Sequence, residues 1–139
     1  MTPRRKRPRS LPGSPLDWLK HAQSDYRLAR VAKGRHGILP EQVCFHAQQA
    51  VEKAIKAILA SKRIVFPLVH DVEELLELTR QGGISVPTSV AEAGSLTPFA
   101  VQARYPGYDE EINSEEVEEA IRLAEHAIAW ASSMIKRQR

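Results

Sequence analysis

One segment, residues 40–62, constrains the fold more than any other part of the sequence. Apolar side chains recur there every three or four residues, and no glycine or proline interrupts them after Pro40. This spacing places them on one side of an α-helix. The stripe consists of Val43, Ala47, Ala50, Ala54 and Ile58, with Cys44, Val51, Ile55 and Leu59 beside it. Because the stripe is wide enough to face two neighbours, it predicts a long helix packed inside a bundle.

Start and stop signals divide the remaining sequence into further helices. Ser14 and Pro15 predict the beginning of a first helix that ends near Lys33. Asp71 can cap a third helix, which the glycines at 82–83 end.

Two more helices complete the prediction. Pro87 opens a weaker fourth helix, which Pro98 should kink or divide. Ser114 is expected to cap the last helix, whose apolar stripe continues to the C-terminus. Because the connections are short, the expected fold class is all-α, an up-and-down helical bundle of four to five helices.

The charge of the chain is unevenly distributed. The net charge is +3, but the first fifteen residues hold five bases and no acid, so the remainder carries −2. Residues 1–14 have almost no apolar side chain to bury, which predicts a disordered basic tail in front of a single domain at residues 15–139. Within that domain, residues 71–125 hold thirteen acids and three bases. This acidity argues against a broad RNA-binding face.

Several classes of protein are disfavoured by what the sequence lacks. No apolar run approaches the roughly 20 residues that a membrane span needs, so no membrane role is expected. A lone cysteine, Cys44, cannot form an internal disulfide, which fits the reducing cytoplasm. The five histidines lack the spacing of a metal site, and no glycine-rich nucleotide motif is present. Neither a metal nor another cofactor is therefore expected.

The second predicted helix carries a group of polar residues that could bind a ligand. Gln49, Glu52, Lys53 and Lys56 lie three or four residues apart and therefore share one face. A solvated face with a Glu52–Lys56 ion pair explains the same pattern equally well.

Two later groups also carry polar chemistry. His70 and Asp71 precede the third helix, where Asp71 is most simply a helix cap. Arg104 and Tyr105 stand in a loop-like segment before an acidic stretch. Arginine in such a place pairs with carboxylates, but it also binds phosphate through two parallel hydrogen bonds.

In this order the three groups resemble a HEPN domain (higher eukaryote and prokaryote nucleotide-binding domain). The pattern is FxAQQAxEKAIKAxL at 45–59, then His70-Asp71, ARYP at 103–106 and SEEVxEAIxxAxxA at 114–127. The resemblance covers about residues 16–136 and implies a compact, usually dimeric bundle. Such chains are often encoded beside a small nucleotidyltransferase in bacteria and archaea. Some members are RNA-cleaving toxins that this partner holds in check.

The resemblance also implies where the functional residues lie. The ribonuclease members have an arginine followed by four to six residues and then a histidine, and Arg104 has no such histidine. Arg63 and His70 match that spacing and are the candidate catalytic pair, although thirteen arginines and five histidines produce such matches by chance. The implied ligand-binding residues are Gln49, Glu52, Lys53, Lys56, Asp71, Arg104 and Tyr105.

Three functions remain open, and a binding module ranks first. It would dimerise and act with a small nucleotidyltransferase, in a toxin–antitoxin pair. Lys53, Lys56 and Arg104 would contact the phosphates of a nucleotide or RNA. Tyr105 would stack on a base or receive a nucleotide from the partner.

The other two functions differ in whether the chain has a ligand at all. In a metal-independent ribonuclease toxin, His70 would act as general acid and base while Arg63, paired with it across a dimer interface, stabilised the phosphate charge. In a structural dimerisation domain, the bundle would bind no ligand.

Overall fold

The computed structural model describes residues 13–68, 70–95 and 112–136. A 3-10 turn, Glu92–Ser95, follows the fourth helix directly, and the described residues contain no strand. The expected all-α bundle is confirmed. The described residues form five helices: α1 (Pro15–Ala32), α2 (Pro40–Ser61), α3 (Val72–Gln81), α4 (Thr88–Ala91) and α5 (Ser114–Lys136).

Helix α2 is the central element of the bundle. It packs against α1, α5 and α3, and its predicted apolar stripe is buried. Val51, Ile55 and Ile58 are fully enclosed. Burying each such side chain contributes about 1.5–3 kcal/mol to folding. The wide apolar stripe is therefore buried against other helices of the same chain. The polar residues of α2 that border the stripe are the ones that form the candidate site.

The predicted helix caps of α1 and α3 are present. Ser14 Oγ accepts a hydrogen bond from the backbone N–H of Asp17, whose carboxylate accepts one from the backbone N–H of Ser14. These hydrogen bonds, the backbone one foremost, lower the pKa of Asp17. Asp71 Oδ1 accepts hydrogen bonds from the backbone N–H of Glu73 at 3.0 Å and of Glu74 at 3.3 Å. Both caps satisfy donors that the first helical turn would leave free.

The cap of α5 differs from the prediction. Ser114 was the expected cap, but it is the first residue of the helix. Asn113 Oδ1 accepts a hydrogen bond from the backbone N–H of Glu116 at 2.8 Å, and Glu116 Oε1 accepts one from the backbone N–H of Asn113 at 3.2 Å. Asparagine caps a helix as well as serine does, and the glutamate three residues later completes a capping box.

The fourth helical segment and the tail are only partly within the described residues. The short helix α4 and its 3-10 turn cover residues 88–95, so the predicted continuation and the kink at Pro98 lie outside the described residues. Residues 1–12, Arg104 and Tyr105 also lie outside them. Among the described helices, none has the length and apolar character required to cross a membrane.

Candidate functional site

The polar edge of α2 is turned toward the inside of the chain. Gln48, Glu52 and Lys56 follow one another at four-residue intervals, and all three are buried. Gln49 and Lys53 lie beside them and are half-buried. Spacing predicts correctly that these residues share a face, but the face is not a solvated one.

Glu52 is the centre of this buried polar edge. Only 1% of the residue is exposed. Its Oε1 accepts a hydrogen bond from Gln48 Nε2, and its Oε2 lies 3.1 Å from Nδ1 of His70. Burial raises the pKa of the Glu52 carboxyl, while His70, Lys56 and Gln48 act in the opposite direction. With Gln48 at Oε1 and His70 at Oε2, both oxygens of the Glu52 carboxylate have a polar partner within the chain, as a buried carboxylate requires.

His70 connects the buried carboxylate to the protein surface. Its side chain is 75% exposed, and its backbone oxygen accepts a hydrogen bond of 3.4 Å from Gln48 Nε2. A carboxylate at Nδ1 fixes the orientation of an imidazole and selects which nitrogen carries the proton. Nε2 of His70 is then the nitrogen that can meet a ligand or transfer a proton.

Lys56 is enclosed by two aromatic rings. Its Nζ lies 5.4 Å from the centroid of Trp18 and 5.9 Å from that of Phe66. The two rings meet edge to face with centroids 5.9 Å apart. Burial lowers the pKa of Lys56, and Glu52 opposes this effect. A phosphate contact by Lys56 stays a prediction that requires Nζ to leave these rings.

Lys53 has a partner on α1. Asp25 Oδ2 accepts a hydrogen bond from Lys53 Nζ at 2.6 Å, and Asp25 Oδ1 lies 3.1 Å from Nδ1 of His46. The Asp25 side chain is 15% exposed, so the contact is largely shielded from water. Sequence reasoning missed Asp25 and His46. The only signal was the seven-residue interval between His46 and Lys53, which puts both on one face of α2.

The remaining candidate residues are more dispersed. Arg63 follows α2 with a φ of 59° and is exposed. It forms no hydrogen bond or ion pair with His70 within the described part of the chain. Gln49 Nε2 donates a long hydrogen bond, 3.5 Å, to Gln48 Oε1. Asp71 is engaged as the cap of α3. No group of three or more metal-ligating side chains occurs among the described residues.

Comparison with known proteins assigns the chain to a family. The model of the HEPN domain matches residues 16–135. The chain belongs to the HEPN domain family. The resemblance inferred from the sequence is thereby confirmed.

Two crystal structures are similar to this HEPN chain over nearly its whole length. An archaeal HEPN homologue is 27% identical, with a TM-score of 0.69, over 89% of this chain and 99% of that chain. The protein TT1696 from Thermus thermophilus is 28% identical, with a TM-score of 0.72, over 86% of this chain and 97% of that chain. No curated protein sequence matches the chain significantly.

Exposed apolar side chains stand close to His70 in the sequence of this HEPN chain. Val65 and Leu68 precede the histidine and are 60% and 66% exposed. Acidic side chains of the first turn of α3, Glu73 and Glu74, follow it and are exposed. We call Val65, Leu68, His70 and this first turn the His70 surface. It joins apolar side chains, an oriented imidazole and negative charge within one short stretch of sequence.

Proposed function

We propose that this HEPN chain is a nucleotide- or partner-binding module that acts with a small nucleotidyltransferase. The His70 surface carries the proposal, because a buried carboxylate fixes an exposed imidazole, and two exposed apolar side chains stand two and five residues before it in the sequence. Apolar side chains supply binding energy when a partner covers them, and a fixed polar group supplies orientation.

The fixed position of His70 favours binding. Glu52 and Gln48 hold its ring and its backbone oxygen from inside the bundle. A side chain that is already ordered loses less conformational entropy when a partner binds. The carboxylates of Glu73 and Glu74 beside it suit a partner with a basic surface.

The wider biological setting of the proposal is drawn from what the resemblance to other HEPN domains implies. We propose a cytoplasmic homodimer that forms a toxin–antitoxin pair with the nucleotidyltransferase. Tyr105 is the proposed acceptor of a nucleotide from this partner, and Arg104 a proposed phosphate contact. An added nucleotide mass on the co-expressed chain that disappears in Tyr105→Phe would support this role, and a stable complex without a mass shift would remove it.

Co-expression with a nucleotidyltransferase encoded beside this chain tests the His70 surface. The nucleotidyltransferase carries the affinity tag, and the recovered HEPN chain is quantified. The double variant Val65→Ser/Leu68→Ser should reduce recovery by about tenfold. The matched control Leu16→Ser/Leu39→Ser changes two other exposed leucines, which are 49% and 57% exposed, and should leave recovery unchanged. Equal recovery of both double variants contradicts the proposal.

The contact between Glu52 and His70 favours ribonuclease activity as a second candidate function. A carboxylate behind an imidazole is the arrangement that prepares histidine for general acid–base catalysis. His70 would take the proton of the 2′-hydroxyl, and Arg63 would stabilise the charge on the phosphate.

RNA cleavage by the purified chain, together with growth arrest that depends on Arg63 and His70, separates the ribonuclease from the other candidates. Expression of a ribonuclease should arrest growth, and His70→Ala or Arg63→Ala should abolish the arrest. Harmless expression and intact RNA after incubation with the purified chain would exclude this activity. A structural dimerisation domain is the remaining function if the chain also binds neither nucleotide nor nucleotidyltransferase.

A further inference from the structure

Gly13, the first described residue of the chain, lies at the same end of the bundle as the loop before His70. A methyl group placed on Gly13 would lie 3.5 Å from Nε1 of Trp18, and the Trp18 ring contacts that of Phe66 with centroids 5.9 Å apart. Phe66 belongs to the loop that leads from α2 to His70. The segment that precedes Gly13 therefore enters the bundle beside this loop.

The indole of Trp18 carries a donor at the point where this segment enters. Its Nε1 is buried and has no hydrogen-bond acceptor among the residues that the structure describes. A buried indole N–H usually has an acceptor, because leaving it without one costs free energy. A backbone carbonyl just before Gly13 can supply that acceptor and would hold the entering segment against the loop that leads to His70.

The chain before Gly13 is long enough to cover the His70 surface. Residues 4–9, which we call the basic segment, stand four to nine positions before Gly13. An extended chain advances about 3.4 Å per residue, so the basic segment can lie roughly 14–31 Å from Gly13. His70 contacts Glu52, one turn of α2 before the lysine whose Nζ is 5.4 Å from the Trp18 centroid. The surface is therefore within that reach.

The basic segment and the beginning of α3 have opposite charges. The first twelve residues hold five bases and no acid. Four acids and no base fall within residues 71–77: Asp71, Glu73, Glu74 and Glu77. Arg80 lies 3.4 Å from Glu73 and 3.5 Å from Glu77, so one arginine is shared by two carboxylates. Glu74 forms no salt bridge within the described part of the chain. This turn therefore keeps an excess of negative charge that suits a basic peptide.

The glutamates of α5 are a poorer match for the same segment. Glu118 pairs with Lys33 and Glu119 with Arg122, so both already have a base as partner. Lys33 directly follows α1, whereas Gly13 precedes its beginning. The length of α1 thus separates these carboxylates from the point where the basic segment enters.

We propose that the basic segment docks on the His70 surface of the same chain and competes there with the partner. Its bases contact the carboxylates of Glu73 and Glu74, whereas Lys62 and Arg63, which follow α2, repel it and so favour contact with α3. This inference rests on the proposed function, since it gives the same surface an internal regulator. The partner binds the chains whose basic segment has left the surface.

Carbodiimide cross-linking of the purified full-length chain locates the basic segment. Lys6 is its one lysine and should form an amide bond with a carboxylate in the first turn of α3, identified by mass spectrometry of the digested chain. Arg4→Gln/Arg5→Gln/Arg7→Gln retains Lys6 but removes three bases. The yield of the amide should then fall by about fivefold, because each exposed charge pair contributes a little to docking.

A matched variant controls for the lost charge. Lys20→Gln/Arg27→Gln/Lys136→Gln removes the same net charge from exposed residues of α1 and α5 and should retain the yield within about twofold. Thermal unfolding verifies that both variants remain folded. Equal yields from the parent and the variant of the basic segment, or amides of Lys6 that form as often with α5, would overturn the docking site. In a mixture of ¹⁵N-labelled and unlabelled chains, amides that join the two kinds would overturn docking within one chain.

Co-expression with the tagged nucleotidyltransferase tests the competition. Arg4→Gln/Arg5→Gln/Arg7→Gln should raise recovery of the HEPN chain by about threefold, because a larger fraction of chains presents the surface. Unchanged recovery would overturn the regulatory role. The cross-linking experiment needs no nucleotidyltransferase, so it stands if the proposed function fails. Absence of the cross-link leaves the co-purification test of the His70 surface intact, so the two proposals fail separately.

Discussion

Glu52 Oε2 lies 3.1 Å from Nδ1 of His70, and this contact joins a carboxylate that is 1% exposed to an imidazole that is 75% exposed. The interior of the bundle thus determines how a surface side chain is presented. Because the carboxylate is buried, its protonation is linked to folding as well as to the position of His70.

Stability should depend on pH through Glu52. Burial raises the pKa of this carboxyl in the folded chain above its unfolded value. Its contribution to stability is therefore complete below the unfolded pKa and is lost as pH rises through the folded pKa. Urea unfolding from about pH 4 to about pH 8 should show a steeper loss of stability for the parent than for Glu52→Gln.

The His70 imidazole contacts Glu52 directly, so its contribution has to be controlled. The chain with Glu52 and the Glu52→Gln variant are therefore both compared in a His70→Asn background, so that they differ only at residue 52. Parallel stability profiles for the two chains would show that Glu52 titrates as it does in the unfolded state.

The contacts of Asp25 with Lys53 and His46 should contribute more to stability than an exposed ion pair does. Asp25→Asn weakens the contacts of one carboxylate with both Lys53 and His46, and the expected loss is about 1–2 kcal/mol in the free energy of unfolding. Glu118→Gln removes the partner of Lys33 in a pair whose side chains are 42% and 58% exposed, so it should cost less than about 0.5 kcal/mol. Equal losses in chemical denaturation would mean that Asp25 is no better shielded than the surface pair.

Capping of α5 by Asn113 can be separated from capping by Ser114. Asn113→Ala should lower the free energy of unfolding by about 1 kcal/mol, because it leaves the backbone N–H of Glu116 without its acceptor. Ser114→Ala, inside the helix, should change it by less than about 0.5 kcal/mol. A larger loss in the free energy of unfolding for Ser114→Ala than for Asn113→Ala, measured by urea titration, would show that Ser114 is the cap, as the sequence predicts.

Cys44 should be inert in the folded chain. The side chain is buried, and desolvation raises the pKa of its thiol to about 11. The thiolate, which is the reactive form, is therefore scarce near pH 8. A chromogenic disulfide reagent should modify the native chain far more slowly than the urea-unfolded chain. Equal rates would indicate that α2 opens readily around this residue.

The sequence predicts the helices well because their signals are local. The α2 stripe depends on a spacing of three to four residues, and the caps of α1 and α3 depend on single side chains next to a helix start. The same local rules failed at α5, since Asn113 and Ser114 are adjacent residues with equal capping ability. Only the geometry of the turn distinguishes them.

The candidate site is less predictable because its contacts are distant in sequence. Periodicity places Glu52 and Lys56 on one face of α2, but it does not say what covers that face. Trp18 lies on α1, and His70 stands 18 residues beyond Glu52. These residues meet only after the bundle has packed, which buries charges that the pattern alone would expose to water.

Light scattering during size-exclusion chromatography of the co-expressed HEPN chain and nucleotidyltransferase tests the proposed function most directly. The wild-type pair should elute as one species whose mass contains both chains, and Val65→Ser/Leu68→Ser should elute as two separate proteins. Separate elution of the wild-type chains would contradict a partner-binding role for the His70 surface.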